Sequence, residues 1–300
     1  MDQNKPFRIG AVFPQLEMPA DPIAIRDFAQ ALEDMGYDHM VIYDHVLGAD
    51  LTNRPDWDKP YSLSSSFQEP LVLMAYLAGL TRKLAFMTGV LVLPQRQTAL
   101  VAKQAACVDI FLEGRLRLAV GTGWNAIEYE ALGVDFSTRG KMLDEQIDYL
   151  RQLWTQESSS FEGQFHQLSA AGLCPMPRQR PIPLWVGGKS LPAMRRAARL
   201  SDGWLPVLPA TQAMSEVARF RDMVAAQGRD AAAVGVENLV FAGHPLRGGM
   251  KEAGEIAEDI ATWQAAGANG IAVHSMDVSL GGPSAHIEFL RKVRAALGPV

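Results

Sequence analysis

Eight times along this chain a short apolar run is followed by a stretch with helical apolar spacing, and that alternation leaves few folds open. The runs cover residues 7–13, 39–43, 83–94, 115–120, 183–186, 203–206, 234–242 and 270–274. Between them, sets such as Ile25, Phe28, Leu32 and Met35, or Leu143, Ile147, Leu150 and Trp154, recur every three or four residues and so line one helix face. Gly36, Gly114, Gly228 and Gly267 stand where helices should stop. An open, doubly wound sheet would satisfy the same alternation. Eight βα units in 300 residues, somewhat above the ~250 typical of a (β/α)8 barrel, favour the closed form. No linker or solenoid repeat interrupts the chain, so one α/β TIM-barrel domain over residues 1–300 is expected.

Two stretches break the rhythm. Residues 46–69, after the second strand, have no clear periodicity, and a connection that long in a compact domain is functional or disordered. Trp57, Tyr61 and Phe67 argue against disorder, so an extended flap is expected there. Residues 161–181, punctuated by Gly163, Gly172, Pro175, Pro177 and Pro181, read as an irregular insertion before the fifth strand. The third run, 83–94, is apolar on both alternating faces, as in a parallel strand covered on both sides. Gly89 sits in its middle, either as a harmless small residue or as the mark of a bulge.

The formal net charge of −5, with no Lys/Arg stripe, gives nucleic acid no electrostatic footprint. Cys107 and Cys174 form neither a metal-ligand nor a disulfide pattern. The polar residues 1–6 lack a secretory core, and no apolar run reaches the ~18 residues of a membrane span. A cytoplasmic protein with a small-molecule substrate and no membrane contact is expected.

In a barrel the active site lies at the C-terminal strand ends. That rule gathers Gln15, Asp44, His45, Thr88, Gly89, the turn Gly121-Thr122-Gly123-Trp124-Asn125, the turn Gly187-Gly188-Lys189-Ser190, and His274 at one mouth. The first glycine turn either lets backbone N–H groups reach an anion or is only a tight turn. The second either holds phosphate at a helix N-terminus or is only a capped helix start. Asp44 and His45 read as an acid–base pair, Asp44 orienting the imidazole, or as a satisfied structural histidine. His274 carries the same two readings, while His166, His244 and His286 read as loop or surface residues. Neither metal-ligand spacing nor a G-x-S-x-G elbow occurs.

Tyr43-Asp44-His45, the segment Thr88 to Pro94, Gly121 to Asn125 followed by Glu128, and Pro183 to Gly188 followed by Asp202-Gly203-Trp204 occur in an order that resembles the bacterial luciferase-like superfamily, over nearly the whole chain. Within it the chain looks most like the branch that depends on the deazaflavin coenzyme F420. The resemblance implies a (β/α)8 barrel with a reduced flavin or deazaflavin across its mouth. Phosphate would sit near Gly187, Gly188, Lys189 and Ser190 and the Gly121–Gly123 turn. Thr88, Gly89 and Val90 would form the ring platform, with a non-proline cis peptide at Gly89–Val90. His45 matches a histidine that relatives use beside the coenzyme ring. Trp124 replaces the glutamate that sugar-phosphate dehydrogenases of the superfamily carry after their glycine turn, so that activity does not transfer and an apolar wall is implied instead.

The function implied is hydride transfer between F420 and a small apolar or cyclic organic substrate. The alternative is an FMN-dependent monooxygenase using reduced flavin and O2, served by a flavin reductase. Rivals of other classes are a non-catalytic barrel that binds a ligand or partner, and a phosphate-sugar barrel without redox cofactor. Members of the superfamily are commonly dimers, which implies a homodimer.

Overall fold

The computed structural model describes residues 7–243 and 249–298. Its strands are β1 (Arg8–Val12), β2 (His39–Ile42), β3 (Ala85–Thr88), β4 (Leu91–Val92), β5 (Leu116–Gly121), β6 (Ser159–Glu162), β7 (Gln167–Ala171), β8 (Leu184–Gly187), β9 (Gly203–Leu205), β10 (Gly235–Phe241) and β11 (Gly270–His274). Parallel pairing runs β3-β2-β1-β11-β10-β9-β8-β5, and β3 then pairs with β5 to close the circle. The short β4 also pairs with β5, so β3 and β4 are two pieces of one stave interrupted at Gly89 and Val90. The Gly89–Val90 peptide is cis, as the resemblance implied. The fold is therefore a closed, eight-stave parallel barrel.

Helices α1 (Pro22–Asp34), α2 (Pro70–Ala78), α3 (Thr98–Phe111), α4 (Ala126–Ala131), α5 (Arg139–Thr155), α6 (Leu191–Leu200), α7 (Ala213–Ala226), α8 (Ala253–Ala265) and α9 (Pro283–Ala296) follow the staves. Side-chain alternation along each strand divides the core in two. Met40, Phe86, Leu116, Leu118 and Val120 point outward into the layer shared with Phe28, Leu32, Leu150 and Trp154 of the helices. Val12, Val41, Met87, Ala119, Trp185, Leu205, Leu239 and Ala272 fill the barrel interior. No helix among the described residues is long and apolar enough to cross a membrane.

The N-terminal end of the barrel is plugged by charge. Glu237 lies 2.6 Å from His39 Nε2 and accepts a hydrogen bond from Arg117 at 2.7 Å, all three essentially buried. Burial pushes the Glu237 carboxyl up, but Arg117 and His39 more than reverse this and hold it far below the usual carboxylate range. A side chain on Gly10 would collide with the His39 ring, and one on Gly203 or Gly235 with Trp185. These glycines give the two rings their room.

Two expectations change. Residues 161–181 are not wholly irregular, because β6 and β7 form an antiparallel hairpin whose Phe161 packs on Tyr149 at 4.7 Å. His166 does lie in a loop, between β6 and β7, where Nδ1 is 2.8 Å from Glu145 and Nε2 2.7 Å from the Thr98 hydroxyl. His286 is buried, with Nδ1 2.9 Å from the Ser275 hydroxyl. His244 lies outside the described residues.

Candidate active site

Two residues beyond the interior layer, the same alternation sets the floor of the mouth. Tyr43, Gly89, Gly121, Gly187, Val207, Phe241 and His274 succeed Val41, Met87, Ala119, Trp185, Leu205, Leu239 and Ala272. Three adjacent staves thus contribute glycine and no side chain. Val90 fills that gap from the interrupted stave. A Cβ on Gly121 would lie 2.6 Å from Val90 Cγ2, and one on Gly187 would collide with Val90 Cγ1. Gly123, at φ +61°, holds Val92 the same way, with a Cβ 2.6 Å from its Cγ1. The glycines expected to open the backbone to phosphate are therefore occupied, in the first place, with seating Val90 and Val92.

The remaining platform residues divide. Val90 packs on the interior core beside Leu16, Tyr43 and Val207, an apolar floor. Thr88 is buried and donates its hydroxyl to the Ala119 carbonyl at 2.6 Å. It fastens β3 to β5 instead of facing a ring, because its side chain falls on the outward parity of Phe86.

His45 stands three residues past the end of β2, and its partner is not Asp44. Nδ1 lies 3.2 Å from Glu128 Oε1, which also accepts the Val46 N–H at 2.8 Å and the Leu47 N–H at 3.3 Å. Gln95 donates to the other oxygen at 3.1 Å. Burial pushes the Glu128 carboxyl up, but hydrogen bonds from His45, Gln95 and the Val46 N–H prevail and hold it below its ordinary value. An ionised carboxylate only accepts, so Nδ1 carries the hydrogen and Nε2 is left for chemistry.

Asp44 turns the other way. It accepts from the Val92 N–H at 2.9 Å and from Arg96 at 2.7 Å. Arg96 also donates to Glu69 at 2.8 Å, so one guanidinium holds both ends of the flap. The expected role of Asp44 as orienter of His45 is corrected: Arg96 and the Val92 N–H take up its oxygens, while His45 turns to Glu128.

The flap is ordered and folds onto His45. The Tyr61, Phe67 and Trp124 rings lie 4.7, 4.8 and 5.3 Å from the imidazole, and Trp57 lies 6.1 Å from Trp124. The apolar wall expected of Trp124 is thus part of an aromatic cage. Asn125 caps α4 through the Ile127 N–H and donates to the Leu47 carbonyl at 3.2 Å, tying the turn to the flap. Thr122 offers its carbonyl to the Tyr129 hydroxyl at 2.7 Å.

Across the mouth, Ser190 caps α6 by accepting from Ala193. Gly188, at φ +120°, donates its N–H to Leu205 and accepts from Trp204, each at 2.9 Å. Lys189 and Ser190 are exposed at the rim. Gln15 is buried, donating to the Tyr43 carbonyl at 3.0 Å and accepting from the Gln68 N–H at 3.3 Å. Glu128, Gln95 and Arg96 were not singled out as site residues from sequence. For Glu128 a signal existed, since it follows the glycine turn at the spacing that puts it in the first helical turn.

The luciferase-like monooxygenase family model matches residues 8–263. The chain belongs to that family. A protein of Mycobacterium tuberculosis, itself uncharacterised, is 39% identical over 182 residues, 59% of this chain and 62% of that one. An FMNH2-dependent dimethylsulfone monooxygenase of Pseudomonas putida is 33% identical over 187 residues, 61% of this chain and 51% of that protein. The matched regions thus span less than two thirds of these relatives. Among solved structures, an F420-dependent secondary alcohol dehydrogenase in complex with an F420–acetone adduct superposes with a TM-score of 0.77 at 18% identity, covering 98% of this chain and 100% of that one.

Proposed function

We propose that this enzyme moves a hydride between reduced F420 and a small, apolar or cyclic organic substrate, with His45 handling the proton. The observation that carries this is the His45–Glu128 pair, whose free Nε2 stands within the Tyr61–Phe67–Trp124 cage beside the mouth. A planar ring fits the residues present. Val90, seated over Gly121 and Gly187, leaves a low apolar surface where three side chains would otherwise rise. The Gly188–Ser190 turn at the start of α6 would hold a phosphate tail, where the helix dipole favours negative charge.

When bound, the deazaflavin supplies a two-electron hydride, whereas FMN also brings oxygen chemistry. The protein's own residues orient, shield and move a proton. Glu128 fixes the imidazole tautomer and stabilises imidazolium when Nε2 takes a proton. The flap, held at both ends by Arg96, excludes water from the cage. Asp44 acts on the flap root and bulge through Arg96 and the Val92 N–H.

The second reading, a monooxygenase using reduced FMN, O2 and a reductase partner, is favoured by the name of the Pseudomonas relative. Titrating purified protein separately with F420 and FMN, read by cofactor fluorescence, divides the two. Tight F420 binding with His45→Ala losing about 10²–10⁴ in turnover is the expected result. Unchanged turnover in His45→Ala removes the histidine from the chemistry, and FMN binding alone promotes the monooxygenase. A homodimer is proposed for either reading and is tested by sedimentation.

A further inference from the structure

The floor of the mouth contains one polar group whose surroundings do not account for it. His274 is the last residue of β11, and alternation sends it inward above Ala272 of the barrel core. Its ring lies between Phe241 at 4.3 Å and Tyr43 at 5.7 Å, both on the same inward parity of their own strands. The residue is 4% exposed, and Nδ1 is buried with no hydrogen-bond partner among the described residues.

The other buried imidazoles each have a polar group beside one nitrogen, His39 at 2.6 Å from Glu237 and His286 at 2.9 Å from the Ser275 hydroxyl, although His39 Nδ1 and His286 Nε2 also lack a hydrogen-bond partner among the described residues. An unpaired buried nitrogen is unfavourable, by about 1–3 kcal/mol in general, unless something else completes it. A phenylalanine would fill the same aromatic slot without that penalty. What sets His274 apart is its place, since its layer of the barrel interior is the one next to the mouth.

Burial lowers the His274 pKa to about 4, with His286 adding to the effect, so the ring is neutral near pH 7. Burial likewise raises the Tyr43 phenol well above its ordinary value, so it stays protonated. The pair offers hydrogen bonds and no charge, which suits neither a carboxylate nor an ammonium group.

We propose that His274, with Tyr43 beside it, is a binding residue for a neutral hydrogen-bonding edge, a carbonyl or ring N–H, of the molecule that lies on the floor of the mouth. This deepens the reading of the mouth as a ring-binding site and rests on it. Two sources present that chemistry: the polar edge of the cofactor ring, or the carbonyl or hydroxyl of the organic substrate.

His274→Phe keeps the aromatic contacts and removes both nitrogens, and His274→Gln restores a hydrogen-bonding group. Three quantities are measured on wild type and both variants: the melting temperature of the ligand-free protein, affinity for F420 and FMN by fluorescence, and affinity of the cofactor-loaded protein for 2-cyclohexenone as a neutral cyclic carbonyl. His274→Phe should melt higher, by about 1–4 °C. It should also bind one of the three probes about 5–30-fold more weakly, and His274→Gln should recover part of that loss. Weaker cofactor binding assigns the edge to the cofactor, and an effect on the enone alone assigns it to substrate. Unchanged affinity for every probe that wild type binds overturns the proposal. If wild type binds neither F420 nor FMN, the ring-site reading itself falls. The melting temperature then decides for His274: a rise retains it as a residue kept for a ligand, and a fall makes it structural.

Discussion

The two ends of this barrel use the same materials differently. At the N-terminal end, glycines at 10, 203 and 235 make room for the rings of His39 and Trp185, and Glu237 faces both His39 and Arg117. At the mouth, glycines at 121 and 187 make room only for Val90, and the imidazole of His274 keeps a nitrogen without a partner. The closed end sets the buried Glu237 carboxylate against Arg117, while His39 Nδ1 and Arg117 Nε and Nη2 lack hydrogen-bond partners there among the described residues. The open end is a low apolar floor in which His274 is the polar group. What separates the two ends is charge: an ion pair fills one, and the floor of the other, proposed above as the binding end, carries none.

The comparison breaks most visibly at the closed end. Arg117→Met leaves Glu237 buried without its cation, and breaking such a pair costs about 3–5 kcal/mol. Chemical denaturation should show that loss, while cofactor affinity of the folded protein stays at the wild-type value. A parallel loss of affinity would mean that the two ends are not separate in function. Gly187→Ala attacks the mouth with a single methyl group. Its Cβ would collide with Val90, so Val90 must move or the strand must shift. Overpacking of this kind costs about 1–3 kcal/mol, and here cofactor affinity should fall with it. A variant that keeps full affinity would separate Val90 from the ring platform.

How much of this was legible in sequence follows from range. Strand existence is a local property, so apolar runs bounded by glycine and proline located every stave, and their count gave closure. The hairpin β6–β7 escaped because its residues are mostly exposed and carry no apolar alternation to read. His45 was legible because it lies just past the C-terminal end of β2, and position alone puts it at the mouth. Its partner was not, since Glu128 is 83 residues away and Asp44 stands next door. Adjacency in sequence misled there because groups distant in sequence, Arg96 and the Val92 N–H, engage Asp44. The glycine turns were visible as glycines, but what they accommodate, Val90 and Val92, is a tertiary fact.

The finest contrast between the two ends is in their acid response. Glu237 and Glu128 both have carboxyls held below the ordinary value, Glu237 far more so. A depressed folded-state pKa means that the unfolded chain binds the proton more readily. Each group therefore contributes stability that is fully present above the unfolded value of about 4.3 and is lost as pH falls through its own folded value. Glu128→Gln removes the contribution from the mouth and Glu237→Gln that from the closed end. Urea midpoints measured from pH 6 down to pH 3 should fall less steeply in both variants than in wild type, with Glu237→Gln the flatter. Glu128→Gln should also lose turnover, because the carboxylate that fixes the His45 tautomer through Nδ1 is gone. Glu237→Gln should keep the turnover of the folded protein. If Glu128→Gln keeps wild-type turnover, then Glu128 only holds the flap through the Val46 and Leu47 N–H groups, and both ends of the barrel are structural in their carboxylates.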